Sequence, residues 1–450
     1  MGFNSLVFIF ILLPFALLVY KYIPKQWHNI FLLILSLFFY AWGSAPALIM
    51  ILLSVGFNFF AARGIGQHIE SGDKRTARIQ LIASVAFDVA LLAVYKYTGL
   101  DMPLGISFYS FSVMSCLFDV YYGKTSAQVE FFDFFLYVMF FPKIISGPIV
   151  KWEDFRAQVH NHAVTRDGFL QGFELFLAGF FKKALLADKL GVTLASVLAR
   201  PQQTVGLAWI GVFVYSFELY LDFSGYSDMA IGLARMFGFN FEKNFDYPYT
   251  SESVSVFWRR WHISLGAWFR DYVYIPLGGS RCSRGTQIRN LMIVWVLTGI
   301  WHGSTLNYLI WGLYHGGMVL LDKFVIGERL QKVPRRLRIL LTDAAVFIGW
   351  VFFFRTGIGD AFAHIGRLFG IGAAGFWSRA TTFSLTENLI LLIIAALCCS
   401  PWMKNMHAKL TYKKDGAAMY ISVALYVILF VFGVAGILGS TWTSFMYANF

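Results

Sequence analysis

Residues 290–321 contain no Asp, Glu, Lys or Arg across 32 positions, yet they hold two histidines, His302 in "GIWHGS" and His315 in "LYHGG". A neutral imidazole with a pKa near 7 accepts a proton from a hydroxyl as that oxygen attacks an acyl carbon, and no metal is needed. Burial in a low-dielectric medium disfavours the charged ring, so a histidine in such a stretch is either a packing residue or a functional base. The two rings are thirteen residues apart, about 140° around an unbroken helix, which does not make them a matched pair. His302, beside Gly303 at a helix break, is the candidate base, because a break opens space for a substrate. His315 is expected to be a hydrogen-bonded packing residue. A serine triad has no support, since no GxSxG motif is present.

A second constellation lies just upstream, in "TSESVSVFWRRWHISLGAWFRDYVYIPLGGSR" (250–281). Val254, Phe257, Trp258, Trp261, Leu265, Trp268, Phe269 and Tyr272 recur at three- and four-residue steps, with Arg259, Arg260 and Arg270 on the other side. That spacing predicts one amphipathic helix in the bilayer interface, capped by Thr250 or Ser251 and stopped by Pro276 and two glycines. Two roles remain open on pattern alone. The helix is a membrane-surface element, or its Arg and His groups contact an anionic substrate such as a phosphate-bearing cofactor. The four cysteines (Cys116, Cys282, Cys398 and Cys399) show no ligand spacing, so free thiols are expected, with no metal centre and no disulfide.

The elements that position these groups follow from composition. The 450 residues are 58% apolar, 19% aromatic and 14% charged. Apolar runs recur at 3–19, 30–43, 45–62, 79–95, 106–121, 207–223, 344–354 and 419–438. Crossing a hydrocarbon core of about 30 Å takes roughly 20 helical residues, so the chain reads as an all-α polytopic membrane protein. The first run has no charge before it and no small-residue cleavage site after it, and reads as a retained helix.

The net charge of +12 gathers in short connections: Lys21 and Lys25; Arg63, Lys74, Arg75 and Arg78; Arg281, Arg284 and Arg289; Arg329, Lys332, Arg335, Arg336 and Arg338; Lys404, Lys409, Lys413 and Lys414. Loops of this kind face the cytoplasm, which puts both termini outside. The same placement argues against nucleic acid as a partner. Between residues 131 and 249, Lys143, Lys182, Lys183 and Asp188 interrupt the apolar runs, and re-entrant or tilted segments are expected. The stretch 290–321 as one helix would be about 48 Å long, too long for the membrane. Gly299, Gly303, Gly312, Gly316 and Gly317 are the places where it can bend. With no repeat, soluble domain or long linker, residues 1–450 read as one integral-membrane unit with 250–317 as its catalytic core.

Several motifs then carry a resemblance. "FWRRWHISLGAWFRDYVYIPLGGSR" and "TGIWHGSTLNYLIWGLYHG", with "PLGISFYSFSVMSCLFDVYYG", "FPKIISGPIVKW" and "DFSGYSDMAIGLARMFGFNFEKNFDYPY", resemble the membrane-bound O-acyltransferase family in its alginate O-acetyltransferase branch. The resemblance covers about residues 1–440. "YIPLGG" separates it from the D-alanyl-transferring branch, which shares the "RWH" and "WHG" elements. It implies about eleven transmembrane helices with re-entrant and interfacial pieces, thinned so that donor and acceptor reach one histidine from opposite faces. It implies His302 as the catalytic residue and His262 as a recurring second position.

The implied donor is an acyl thioester, here acetyl-CoA, a substrate and not a tightly bound cofactor. Arg259, Arg260, Arg281 and Arg284, with Arg289, are the residues expected to meet its phosphates. The implied acceptor is an extracytoplasmic hydroxyl, on an exopolysaccharide such as alginate or cellulose, or on the serine of a relay partner protein. Such a chain sits among the lipids of a bacterial cytoplasmic membrane. The alternatives are D-alanyl transfer to an envelope polymer, or a glycan or lipid transporter with His302 as proton relay, which should show inverted repeats.

Overall fold

In the computed structural model, residues 2–126, 128–412 and 416–439 are described, and all their regular structure is helical. Seven of these helices are long and apolar enough to cross a bilayer: Ala45–Glu70 (α1), Lys74–Tyr97 (α2), Val205–Met236 (α3), Leu306–Gln331, Arg335–Phe354, Arg379–Cys398 and Tyr420–Leu438. Two shorter apolar helices, Phe8–Tyr22 and Ile106–Tyr121, join them. The chain is a multi-pass, all-α membrane protein. Its helices begin where short polar side chains can hold the first free N–H groups. Asp73, Thr204 and Ser378 accept from Thr76, Leu207 and Thr381 respectively. Lys413, Lys414 and the C-terminal end from residue 440, for which the basic loops predicted a side of the membrane, lie outside the described residues.

In the middle of the chain, where re-entrant or tilted segments were predicted, most residues form long helices. Arg166–Phe181 runs through a wide turn, Lys182–Ala187, into Asp188–Leu198 and packs beside the 32-residue α3. Three of the four charges that broke the hydropathy pattern meet opposite charges inside: Lys183 reaches Asp222 at 2.5 Å and Asp188 at 2.9 Å, and Lys182 reaches Asp228 at 2.6 Å, while the buried Lys143 donates to Ser112 Oγ at 3.1 Å. A hydropathy window counts each as a penalty, although a buried charge with its partner is tolerated. Residues 140–151, between the short helices Phe131–Met139 and Trp152–Val159, are irregular and almost wholly buried. α3 is the spine: its first half joins an aromatic core with Trp261, Trp311 and Trp350, its second half another with Phe3, Phe8 and Phe141.

The stretch 290–321 does turn back, at one place. Val254–Arg260 (α4) and Ile263–Phe269 (α5) precede Arg284–His302 (α6), which rises 19 residues, about 28 Å. The chain reverses at residues 303–305 into Leu306–Leu321 (α7). Of the five glycines, only Gly303 is at that turn. Gly299 and Gly312 instead let α6 and α7 touch. A Cβ at Gly299 would stand 2.6 Å from the Tyr308 carbonyl oxygen, and one at Gly312 2.5 Å from that of Trp295, whereas Gly317 faces open space.

Gly312→Ala is therefore expected to destabilise the protein by about 1–3 kcal/mol through overpacking. Gly317→Ala should gain up to about 1 kcal/mol from helix propensity. Thermal unfolding in detergent checks both, and a Gly312→Ala melting point at or above wild type would contradict the packing.

Candidate active site

His302 is the last residue of α6, where the helix leaves free carbonyl groups. Lys96 near the end of α2 donates to the Trp301 carbonyl, and the Tyr97 hydroxyl donates to the Ile300 carbonyl at 2.6 Å. A cation at this end also suits the helix dipole. The imidazole is buried, packed by Trp311 at 4.9 Å and Phe353 at 5.0 Å between ring centroids. Ser304, Thr305 and Leu306 are nevertheless exposed. His302 thus stands just beneath one surface of the protein, opposite the end where the arginines of residues 281–289 lie.

From the other direction a cavity of about 260 Å³ reaches the same ring. Its walls include Thr298, Trp295 and His302 from α6, and Trp258, His262 and Arg270 from the segment before it, with Tyr274 and Leu291 toward the foot of α6. The structure therefore brings His262 and His302, forty residues apart in sequence, to one space. It does not bring His315 there. That ring is wholly buried behind Trp258 and Trp311, with centroids at 4.9 and 5.2 Å, and its Nε2 sits against Gly349. His315 is the packing residue expected, but the expected hydrogen bond is missing: neither ring nitrogen has a partner among the described residues.

The predicted continuous interfacial helix is not formed. The chain breaks between α4 and α5, where His262 adopts φ 47° and ψ 55°. Left-handed backbone costs a non-glycine residue roughly 1–2 kcal/mol, so neighbours must impose it. They come from residues 240–250, whose two-point grip explains the break. Asp246 donates its N–H to the Arg260 carbonyl at 2.9 Å, and Ile263 donates to the Asn244 carbonyl at 2.9 Å. The aromatic stripe faces protein: Phe257, Trp261 and Trp268 are buried, and Trp261 packs on Trp350 at 4.9 Å.

Asn244 also determines which nitrogen of His262 bears the proton. Its side-chain oxygen accepts from the Ser264 backbone N–H at 3.1 Å and the Ser264 hydroxyl at 2.9 Å, while its Nδ2 donates to Ser227 Oγ at 2.9 Å. A backbone N–H can only donate, so the amide orientation follows. The same oxygen lies 3.2 Å from His262 Nδ1. Nδ1 must then carry the hydrogen, which leaves Nε2 with a bare lone pair. Nε2 is buried, with no protein partner among the described residues. Nothing in the sequence singled out Asn244, which reads as a turn residue in "FEKNFDYPY".

The predicted donor-binding arginines are scattered. Arg259 is exposed and bonded to its own helix at Ser255 (3.2 Å). Arg260 holds Thr250 Oγ1 at 3.2 Å. Arg284 holds the Phe324 carbonyl at 3.2 Å, and Arg281 is exposed. None of the four lines the cavity; Arg270 does. Its guanidinium meets Asp271 at 2.7 Å, and Asp271 meets Lys151 at 2.6 Å. Periodicity put Arg270 on one polar face with Arg259, a grouping that the break at His262 and the wide turn at Arg270–Tyr274 undo.

Residues 38–355 match the model of MBOAT, the membrane-bound O-acyltransferase family. Over 396 residues the chain is 38% identical to the probable alginate O-acetylase AlgI of Pseudomonas aeruginosa, covering 83% of this chain and 75% of that protein. It is 29% identical to the peptidoglycan O-acetyltransferase of Helicobacter pylori over an alignment of 533 positions, 100% of this chain and 97% of the other. A teichoic acid D-alanyltransferase of Streptococcus thermophilus is 30% identical over 258 residues, 52% of this chain and 60% of that one.

Proposed function

The chain belongs to the membrane-bound O-acyltransferase family, and from that premise we propose that it moves an acetyl group from acetyl-CoA at its basic face to a hydroxyl at the opposite face. The observation that carries this reading is the position of His302, which lines a cavity running toward the basic end while ending a helix one residue short of an exposed turn. A base placed there meets a thioester from one side and a hydroxyl from the other. Acetyl is preferred to D-alanyl because the alginate relative matches 83% of the chain and the teichoic acid relative 52%.

In the proposed mechanism the thioester lies in the cavity, with Arg270 toward the donor's phosphates. His302 removes the hydroxyl proton as the oxygen attacks the thioester carbonyl. The tetrahedral intermediate collapses, the C–S bond breaks, and the proton on His302 passes to the departing thiolate. His262 offers only a lone pair at Nε2, so it orients a hydrogen-bond donor in the cavity and cannot itself donate to the oxyanion. The acceptor is an exopolysaccharide hydroxyl, as in alginate or cellulose, or a serine on a relay partner. The membrane is the bacterial cytoplasmic one, with the basic connections in the cytoplasm.

Radiolabelled acetyl-CoA supplied to the purified protein with oligosaccharide acceptors should give acetylated product. Consumption of a D-alanyl thioester instead, or glycan movement without acetyl turnover, would overturn the reading. Within it, Arg270→Gln should raise the apparent KM for acetyl-CoA about tenfold while kcat changes little, the signature of lost ground-state binding. Equal effects on both parameters would remove Arg270 from the donor site.

A further inference from the structure

Arg355 is the first residue after the helix Arg335–Phe354 (α8), at the end remote from Arg335 and Arg338. Its carbonyl accepts from Asn307 Nδ2 at 2.5 Å, and Asn307 lies in the first turn of α7, five residues past His302. Phe353, two residues earlier, packs on the His302 ring. Arg355 is thereby tied to the rim of the exposed turn above His302.

Its guanidinium is held in an unusual way. Nη2 donates to His364 Nδ1 at 2.6 Å, and His364 Nε2 lies 3.3 Å from the Ala208 carbonyl. Arginine has no acceptor, so Nδ1 must be a lone pair and the proton must sit on Nε2. His364 is wholly buried on Ile358–Leu368 (α9). A buried, neutral histidine thus serves to aim a cation. Among the described residues no carboxylate forms an ion pair with Arg355; the charged groups acting on it are Arg367 and Asp360, both of α9. One face rests on Phe354 at 5.3 Å, and the side chain is only partly buried. A partly desolvated guanidinium without an acid partner favours a fork-shaped anion. A second cation, Lys96, stands at the end of α6, donating to the Trp301 carbonyl and 5.3 Å from the Trp301 ring.

We propose that Arg355, aimed by His364, is an anion-binding subsite on the rim above His302, taking a carboxylate or phosphate carried beside the reacting hydroxyl. Resting on the acetyl-transfer reading, it makes an acidic polysaccharide, with one carboxylate per sugar, the better acceptor. The same chemistry could instead come from a phospholipid headgroup.

The test needs no turnover. A short oligouronate and its carboxyl-reduced neutral counterpart are titrated against the full-length protein in a maltoside detergent, without acetyl-CoA. Wild type should bind the oligouronate about tenfold or more tightly, with salt weakening the difference. Arg355→Gln should abolish the preference. Arg355→Lys should keep part of it, and carries the comparison if the glutamine variant does not fold. His364→Phe should weaken it without removing the charge. If the preference is absent but native mass spectrometry shows phospholipid retained by wild type and lost from Arg355→Gln, the anion is a headgroup. Equal sugar binding and equal lipid retention in wild type and variant would overturn the subsite. A protein that binds the oligouronate yet never consumes acetyl-CoA would refute the acetyl-transfer reading and leave the subsite standing.

Discussion

Replacing His302 with glutamine should lower acetyl transfer by ~10²–10⁴-fold, the range for loss of a general base. Glutamine fills much of the same volume and can hydrogen bond, but it cannot take up and release a proton near pH 7. The variant should fold, because the ring packs against Trp311 and Phe353 and a planar amide occupies the same slot. His302→Ala should be as inactive. His315→Ala should keep most of its activity per folded molecule, since that ring is outside the cavity, while losing stability through the hole it leaves. Acceptor acetylation, normalised to folded membrane protein, separates these outcomes. Substantial turnover by His302→Gln at normal abundance would leave the family and fold intact but remove the base.

The second large effect should come from a residue that touches no substrate. Asn244→Leu removes the acceptor for the His262 Nδ1 proton and strands Ser264 and Ser227, so the tautomer is no longer held. A fall in kcat of about 10–100-fold is expected, by analogy with loss of the hydrogen-bond partner that orients a metal-ligating histidine. The stranded buried groups should cost about 1–3 kcal/mol each at most.

Asn244→Asp distinguishes positioning from scaffolding. It preserves acceptors for Nδ1–H and for Ser264, so the fold should hold. The added negative charge, however, favours the imidazolium form of His262 and raises its pKa. The variant should work at high pH and lose activity as pH falls, at a pH where wild type is still active. Identical pH profiles for the two proteins would show that Asn244 only braces the chain. His262→Ala should fall between wild type and His302→Gln.

The class of the protein was legible because hydropathy is a local property. Runs such as 45–62 and 419–438 report that they suit a bilayer wherever they fold, and the basic residues report which connections face the cytoplasm. The turn beside His302 was legible for a similar reason: a charge-free stretch too long for the membrane must turn, and a histidine beside glycine in such a stretch is conspicuous. Other features depended on partners far along the chain. The break at His262 has no glycine or proline to announce it. It exists because Asn244, eighteen residues earlier, holds three groups at once. Gly299 and Gly312 read as hinges, but they serve as contact points, since only the opposing helix shows what a Cβ would strike. Lys183 looked like an interruption until Asp222 met it across two helices. The choice of Arg270 over Arg259 followed from that break at His262. Sequence periodicity determines which residues are apolar and where the chain can turn. Tertiary structure decides which polar groups meet, because a hydrogen bond or ion pair is worth little until both partners leave water together.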